Sequence, residues 1–286
     1  MMGTNDRPHL RQHLLLRRLR LLTIAVLAGC GLLAGGAAAA QAATVTLNAA
    51  PTAAGAGDCS TPANACTIGT AVTNANAANV ADSVIIVLAD GTYALTPAVP
   101  AALAVTFTGP SLTLVAASGA TPTLDGAGAT RILDVVAGSN VTVDGITFKD
   151  GLTSGLGGAI QTGGTATVKN ATFTGNKGSN GGAIANTAGG TLAVTDSSFS
   201  ANVATAVGGG AFISFGSTTV DRSAVLDNTA PVNGGGFNVQ PGGTVTISSS
   251  TIAGNTSGGL GGGMSNLGVV TVQSSTIAKN TATSAS

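Results

Sequence analysis

Between residues 140 and 280 one short phrase is restated six times with almost fixed spacing, and that regularity restricts the fold more than any other feature. The apolar residues Phe148, Phe173, Phe199, Val225, Ile252 and Ile277 follow one another at intervals of 25, 26, 26, 27 and 25. Five residues before each stands Val143, Val168, Val194, Val220, Ile247 or Val272, and that interval never changes. Two residues earlier again lie Val141, Ala166, Leu192, Thr218, Val245 and Val270. Three residues after the Phe column come Asn176, Asn202, Asn228, Asn255 and Asn280. A Gly-Gly pair recurs as GGAI at 157–160 and 181–184, then as GGAF, GGGF and GGGM.

A self-similar period of this length marks a solenoid, a propeller or an array of small units. Helical repeats are excluded because the apolar residues alternate with period two over short runs, as in Thr191-Leu192-Ala193-Val194, among Gly pairs, Thr and Val. A propeller blade needs about 40 residues or more. A coil of about 26 residues suits an all-β, single-stranded parallel β-helix, a pectin-lyase-like solenoid, with right-handed winding from the rule for parallel crossovers. Successive coils then lie about 4.8 Å apart and like residues stack. The Phe, Val and Ile columns fill the interior. Asn in the fourth column is expected to serve twice, by tolerating a left-handed turn and by bonding through its amide to the coils above and below. The Gly pairs supply turns where a Cβ would obstruct.

Upstream the text changes. Residues 1–42 read as a secretory signal: a leader with Arg7, Arg11, Arg17, Arg18 and Arg20, an apolar run from Leu21 to Leu33, and a small-x-small cleavage site at Ala40-Gln41-Ala42. Leu27-Ala28-Gly29-Cys30 offers the alternative of a lipoprotein anchored through Cys30. Cleavage near Ala42 leaves a mature chain with no membrane span, secreted or displayed on a bacterial surface. Residues 43–105 read as an N-terminal cap. It holds a strand from Thr44, a short helix with Ile68, Ala71, Val72 and Ala75 on one face, a strand over 83–88, and a turn into a further strand at Asp90-Gly91-Thr92-Tyr93. Residues 106–280 are the coils and 281–286 a tail. The chain stops directly after a complete repeat, so the last coil is expected to be covered by that tail, by a partner or by a further downstream segment.

The two cysteines beyond the leader, Cys59 and Cys66, form a close pair, which in an exported chain reads as a disulfide. A metal pair is disfavoured, because His occurs only at positions 9 and 13 and no other Cys follows. Ten Asp face six Lys and Arg after residue 42, a sparse and mildly acidic balance that argues against nucleic acid as a partner. No cofactor is expected.

The phrases Phe173-Thr174-Gly175-Asn176 and Phe199-Ser200-Ala201-Asn202, with Gly157-Gly158-Ala159-Ile160 and Gly181-Gly182-Ala183-Ile184, resemble the paired motifs of chlamydial polymorphic outer membrane proteins, which are β-helical adhesins. The resemblance covers about residues 140–280. The cap resembles a second bacterial family, named for a Cys-Ser-Leu-Arg-Glu-Ala motif that precedes β-helix repeats. Here that motif reads Cys66-Thr67-Ile68-Gly69-Thr70-Ala71. Both resemblances imply a secreted or surface β-helix, and neither supplies a reaction.

The rival to a structural or adhesive module is a glycan enzyme, since many β-helices are pectin lyases or polygalacturonases. Such an enzyme needs converging carboxylates, with Ca²⁺ and a basic residue for a lyase. The candidates are Asp144, Asp150, Asp196, Asp221, Asp227, Lys149, Lys169 and Arg222. Register pairs Asp144 with Lys169 and Asp196 with Arg222, which reads as two solvent-facing ion pairs. Asp150 and Asp227 lie three coils apart, about 14 Å. Only Asp196 and Asp221 remain as a weak catalytic or Ca²⁺ pair. Of the aromatic residues only Tyr93 is left to stack on a sugar, because the Phe residues fit interior or near-strand positions. Thr147, Thr172, Ser198, Thr251 and Thr276, interrupted by Ala224, form a polar outward wall suited to a glycan or a host or neighbour-cell protein.

Overall fold

The computed structural model describes residues 42–95 and 102–284. The leader and the lipobox at Cys30 lie outside the described residues. Within them the chain winds into a parallel β-helix, in the right-handed sense that parallel crossovers adopt.

A full coil carries four strands. One coil consists of Phe212–Ser214, Ser217–Asp221, Ala224–Leu226 and Thr229–Ala230. Stacked through the molecule, these strands generate sheets of seven, nine, eight and five parallel strands respectively. The register agrees with the repeat. Phe148 pairs with Phe173, Phe173 with Phe199, Phe199 with Val225, Val225 with Ile252 and Ile252 with Ile277. Val143, Val168, Val194, Val220, Ile247 and Val272 form a second unbroken column in the nine-stranded sheet.

Both columns are interior as far as Ile247 and Ile252. Phe148, Phe173 and Phe199 stack with ring centroids 4.7 and 4.5 Å apart. Phe199 then meets Phe212 of the seven-stranded sheet at 4.4 Å, and Phe212 stacks on Phe237 at 4.7 Å. The aromatic spine thus crosses from one wall to the other where the first column changes from Phe to Val225.

The Asn column satisfies every polar group it brings inside. Asn202 donates one amide hydrogen to the Phe173 carbonyl of the coil before (3.1 Å) and the other to Asn228 Oδ1 of the coil after (2.9 Å). Its own Oδ1 accepts from the backbone N–H and the amide of Asn176. The chain of bonds starts at Gly151 N–H, which donates to Asn176 Oδ1, and ends at Asn280. The expected left-handed turn is not made by these Asn residues. It falls one residue earlier, on Asp150, Gly175, Ala201, Asp227, Gly254 and Lys279, all at positive φ.

A second polar ladder runs beside the first. Ser197, Ser223, Ser250 and Ser275 each accept, at Oγ, the backbone N–H of the equivalent residue one coil earlier, at 3.0–3.1 Å. Each hydroxyl then donates to the carbonyl two residues before it, at 2.6–2.8 Å. Buried backbone groups require such partners, and here a single short hydroxyl side chain supplies them at every turn.

The Gly-Gly phrase is a packing device. At Gly209 (φ 73°) a Cβ would stand 2.1 Å from the Phe212 carbonyl oxygen of its own coil. At the next glycine, Gly210, it would stand 2.1 Å from the Gly235 carbonyl of the following coil. The same collisions recur at Gly181 and Gly182 and at Gly234 and Gly235, so only hydrogen fits at either position.

The N-terminal region is continuous with the solenoid. Strands Thr44–Ala49 and Ser83–Leu88 are the first two of the nine-stranded sheet. The helix Ile68–Asn76 buries Ile68, Ala71, Val72 and Ala75, the face expected, and packs on the first strands. Asn76 pins its end to the edge strand Leu103–Val105, donating to Ala104 O (2.8 Å) and accepting from Thr106 N–H (3.0 Å). Cys59 and Cys66 are disulfide-bonded, and the segment they close bonds along the free edge of Thr44–Ala49. No helix among the described residues is long and apolar enough to cross a membrane.

Candidate functional site

The corner between the nine- and eight-stranded sheets is an open groove of about 640 Å³ spanning four coils. Its floor is the left-handed column Asn170, Asp196, Arg222 and Ser249, with φ of 48°, 50°, 45° and 47°. Side chains at such corners splay outward, which places the charged groups in solvent.

Arg222 occupies the centre. Its Nε and Nη2 donate to the two oxygens of Asp196 at 2.8 and 2.9 Å, and its Nη1 contacts Asp221 Oδ2. Asp221 also accepts from Ser248 Oγ at 2.7 Å. The structure therefore does bring Asp196 and Asp221 together, but on one guanidinium. The hydrogen bonds from Arg222 hold the Asp196 carboxyl below the usual carboxylate range, and Arg222 is pushed up in turn. Among the described residues no group of three or more His, Cys, Asp or Glu is placed to hold a metal ion.

The other candidates are dispersed. Asp144 and Lys169 are register neighbours, yet they form no ion pair. Asp144 instead accepts from the Asn170 amide at 2.7 Å. Lys149 bridges Asp150 at 3.0 Å and Asp125 of the coil before at 3.5 Å. Asp227 Oδ1 lies over Gly254 of the next coil, where a Cβ would come within 2.1 Å, and Asp150 lies over Gly175 in the same way. Arg131 pairs with Asp134 at 3.2 Å and donates to the Leu156 and Gly157 carbonyls.

Tyr93 is not free to meet a sugar. It is 1 % exposed, heads the interior Phe column through Leu124, and its hydroxyl lies 2.8 Å from the Ala49 carbonyl and 2.9 Å from that of Ala89. Phe215 is the aromatic residue that lies partly exposed.

Two hydroxyl-bearing walls flank the groove. The outward column of the eight-stranded sheet is longer than the repeat suggested: Thr92, Thr123, Thr147, Thr172, Ser198, Ala224, Thr251 and Thr276. A second outward column, not anticipated, runs up the nine-stranded sheet through Thr113, Thr142, Thr167, Ala193, Thr219, Thr246 and Thr271. Its signal in the sequence was the Thr two residues after the strand start in Asn140–Asp144, Thr165–Lys169, Ser217–Asp221, Thr244–Ser248 and Val269–Gln273.

No protein-family model matches this sequence, and no curated protein matches it. Among solved structures the chain is similar to the crystal structure of pectate lyase Pel9A, at 14 % identity and a TM-score of 0.40, over 84 % of this chain and 79 % of that one.

Proposed function

We propose that this chain is an exported, cell-surface or extracellular β-helical module with a structural or adhesive role and no catalytic one. The observation that carries the reading is the single guanidinium of Arg222 holding both Asp196 and Asp221, the two carboxylates left as a candidate catalytic pair. The remaining polar capacity goes into inter-coil ladders and into two walls of hydroxyls, which suit many weak contacts to a glycan or to a protein on a host or neighbouring cell. The test pairs two assays on the purified chain: retention on immobilised glycans and cell surfaces, and turnover of a panel of acidic polysaccharides with and without Ca²⁺. Retention without turnover is expected. Turnover that Asp196→Ala or Asp221→Ala abolishes would replace this reading with that of a lyase or hydrolase. Mass spectrometry of the mature N-terminus is expected to find a chain starting near Ala43, and an acylated Cys30 would make the module a lipid-anchored scaffold.

A further inference from the structure

The disulfide Cys59–Cys66 sits at a junction of the N-terminal region. Its backbone faces the edge strand: Asn48 N–H donates to Cys59 O at 2.9 Å, Cys66 N–H to Asn48 O at 3.0 Å, and Ala50 N–H to Cys66 O at 2.9 Å. Its sulfur faces the helix, where the Asn74 amide donates to Cys59 Sγ at 3.4 Å. Thr67, next after Cys66, caps that helix by accepting the Thr70 N–H. Pro51, near the start of the same segment, lies over Gly91 so closely that a Cβ there would come within 2.8 Å of its ring. Gly91 stands two residues before Tyr93, whose hydroxyl reaches the Ala49 carbonyl.

No large apolar side chain holds this segment down. Residues 50–67 contain no Val, Leu, Ile, Met, Phe or Tyr. Cys59, Ala65 and Cys66 are the buried residues among them. Cys59 is also held at φ 65°, a left-handed conformation that costs a residue with a Cβ. Ordering such a stretch costs backbone entropy at every residue, and three small buried side chains return little against it. The helix differs. It has its own apolar face in Ile68, Ala71, Val72 and Ala75, and Asn76 pins its end.

We propose that this disulfide is a redox latch. Oxidised, it holds residues 50–67 along the edge of Thr44–Ala49; reduced, it lets them leave while the helix and the coils keep their places. Opening frees the Asn48 and Ala50 donors on an edge strand and lets water reach Tyr93. The chemistry is thiol–disulfide exchange. A dithiol gives two electrons and two protons, the Sγ–Sγ bond breaks, two thiols form, and the dithiol becomes a disulfide. Closing is the reverse, with a disulfide of the exchange partner as oxidant. Both cysteines are buried, at 0 % and 1 % exposure, so a reductant reaches the closed latch only through local opening. The latch is therefore set as the chain folds, open in a reducing compartment and shut in an oxidising one. That timing rests on the export proposed above. The latch itself does not, and its test uses purified protein alone, so either can fail without the other.

Hydrogen exchange tests it on three samples: the oxidised chain, the chain kept in dithiothreitol until its mass shows both thiols, and the Cys59→Ser/Cys66→Ser variant. In the two open samples the amides of Asn48 and Ala50 are expected to exchange about tenfold faster or more, with the strands from Leu112 onward unchanged. The Tyr93 titration should fall from about 12 toward about 10. Unchanged protection at Asn48 and Ala50 in the reduced chain overturns the proposal, because noncovalent contacts would then hold the segment. Loss of protection along every coil of the reduced chain overturns it too, because the disulfide would then be a staple of the whole solenoid. The reduced wild-type chain gives this answer even where the double variant does not fold.

Discussion

Asn176 gives both its backbone N–H and one amide hydrogen to the side-chain oxygen of Asn202, at 3.1 and 2.9 Å, and both residues are 0 % exposed. One oxygen therefore serves two buried donors from the coil before, and the same exchange is repeated at each later coil. Asn202→Leu keeps the branched shape but leaves the two donors of Asn176 unpaired and removes the amide donor to the Phe173 carbonyl. The variant should lose roughly 3–5 kcal/mol, since each buried orphan costs about 1–3 kcal/mol. Chemical denaturation of the two proteins measures it, and Asn280→Leu, at the wetter end, should lose less than half as much.

The two kinds of left-handed glycine should respond very differently to a methyl group. Gly189 (φ 82°) has nothing within 4 Å of an added Cβ, whereas Gly209 meets a backbone oxygen at 2.1 Å. Gly189→Ala should cost only the left-handed conformation, about 1–2 kcal/mol. Gly209→Ala adds a clash that backbone must move to relieve, and should lower the melting temperature several times further.

Tyr93 is the one tyrosine of the chain, so tyrosinate absorbance reports a single group. Burial pushes its hydroxyl up to about 12, against about 10 in an unfolded chain. A raised value in the folded state means stability that is complete below about pH 10. It is lost as pH rises through the folded value, because the unfolded chain releases its proton first. Tyr93→Phe should remove this alkaline limb and cost about 1–2 kcal/mol at neutral pH through the lost hydroxyl hydrogen bond, although the Ala49 carbonyl keeps the Ala89 N–H.

Arg222→Met should return the Asp196 carboxyl to the ordinary range, visible in a carboxyl NMR titration. A lowered value in the folded state contributes stability that is present above about pH 4 and fades as pH falls through the folded value. The variant should thus flatten the acid limb slightly. At neutral pH its melting temperature should scarcely change, because the pair is exposed and screened.

The interior columns were legible because their spacing is fixed by geometry: a strand of five residues, one tight corner and a strand of three admit no insertion. The polar ladder of Ser197, Ser223, Ser250 and Ser275 was hidden, since an isolated Ser after a turn looks like any solvent-facing Ser. The strands Ile184–Asn186, Phe212–Ser214 and Phe237–Val239 are buried at all three positions. Without alternation they read only as the tail of a glycine turn. Tyr93 belongs to the Phe column, but 31 residues separate it from Leu124, so the early coils conceal the alignment. Register placed Asp196 beside Arg222. It could not show that the arginine also turns back to its own neighbour Asp221.

The variation in coil length, 25 to 27 residues, falls outside the stacked positions. From Asn176 to the left-handed Gly181 is five residues, from Asn202 to Gly209 seven, and from Asn228 to Gly234 six. A gene encoding such a chain can lengthen by duplicating a whole winding without disturbing its neighbours, and can embroider the rim between Asn and Gly almost freely. A single codon inserted between the Val and Phe columns, in contrast, would put three stacked series out of step at once.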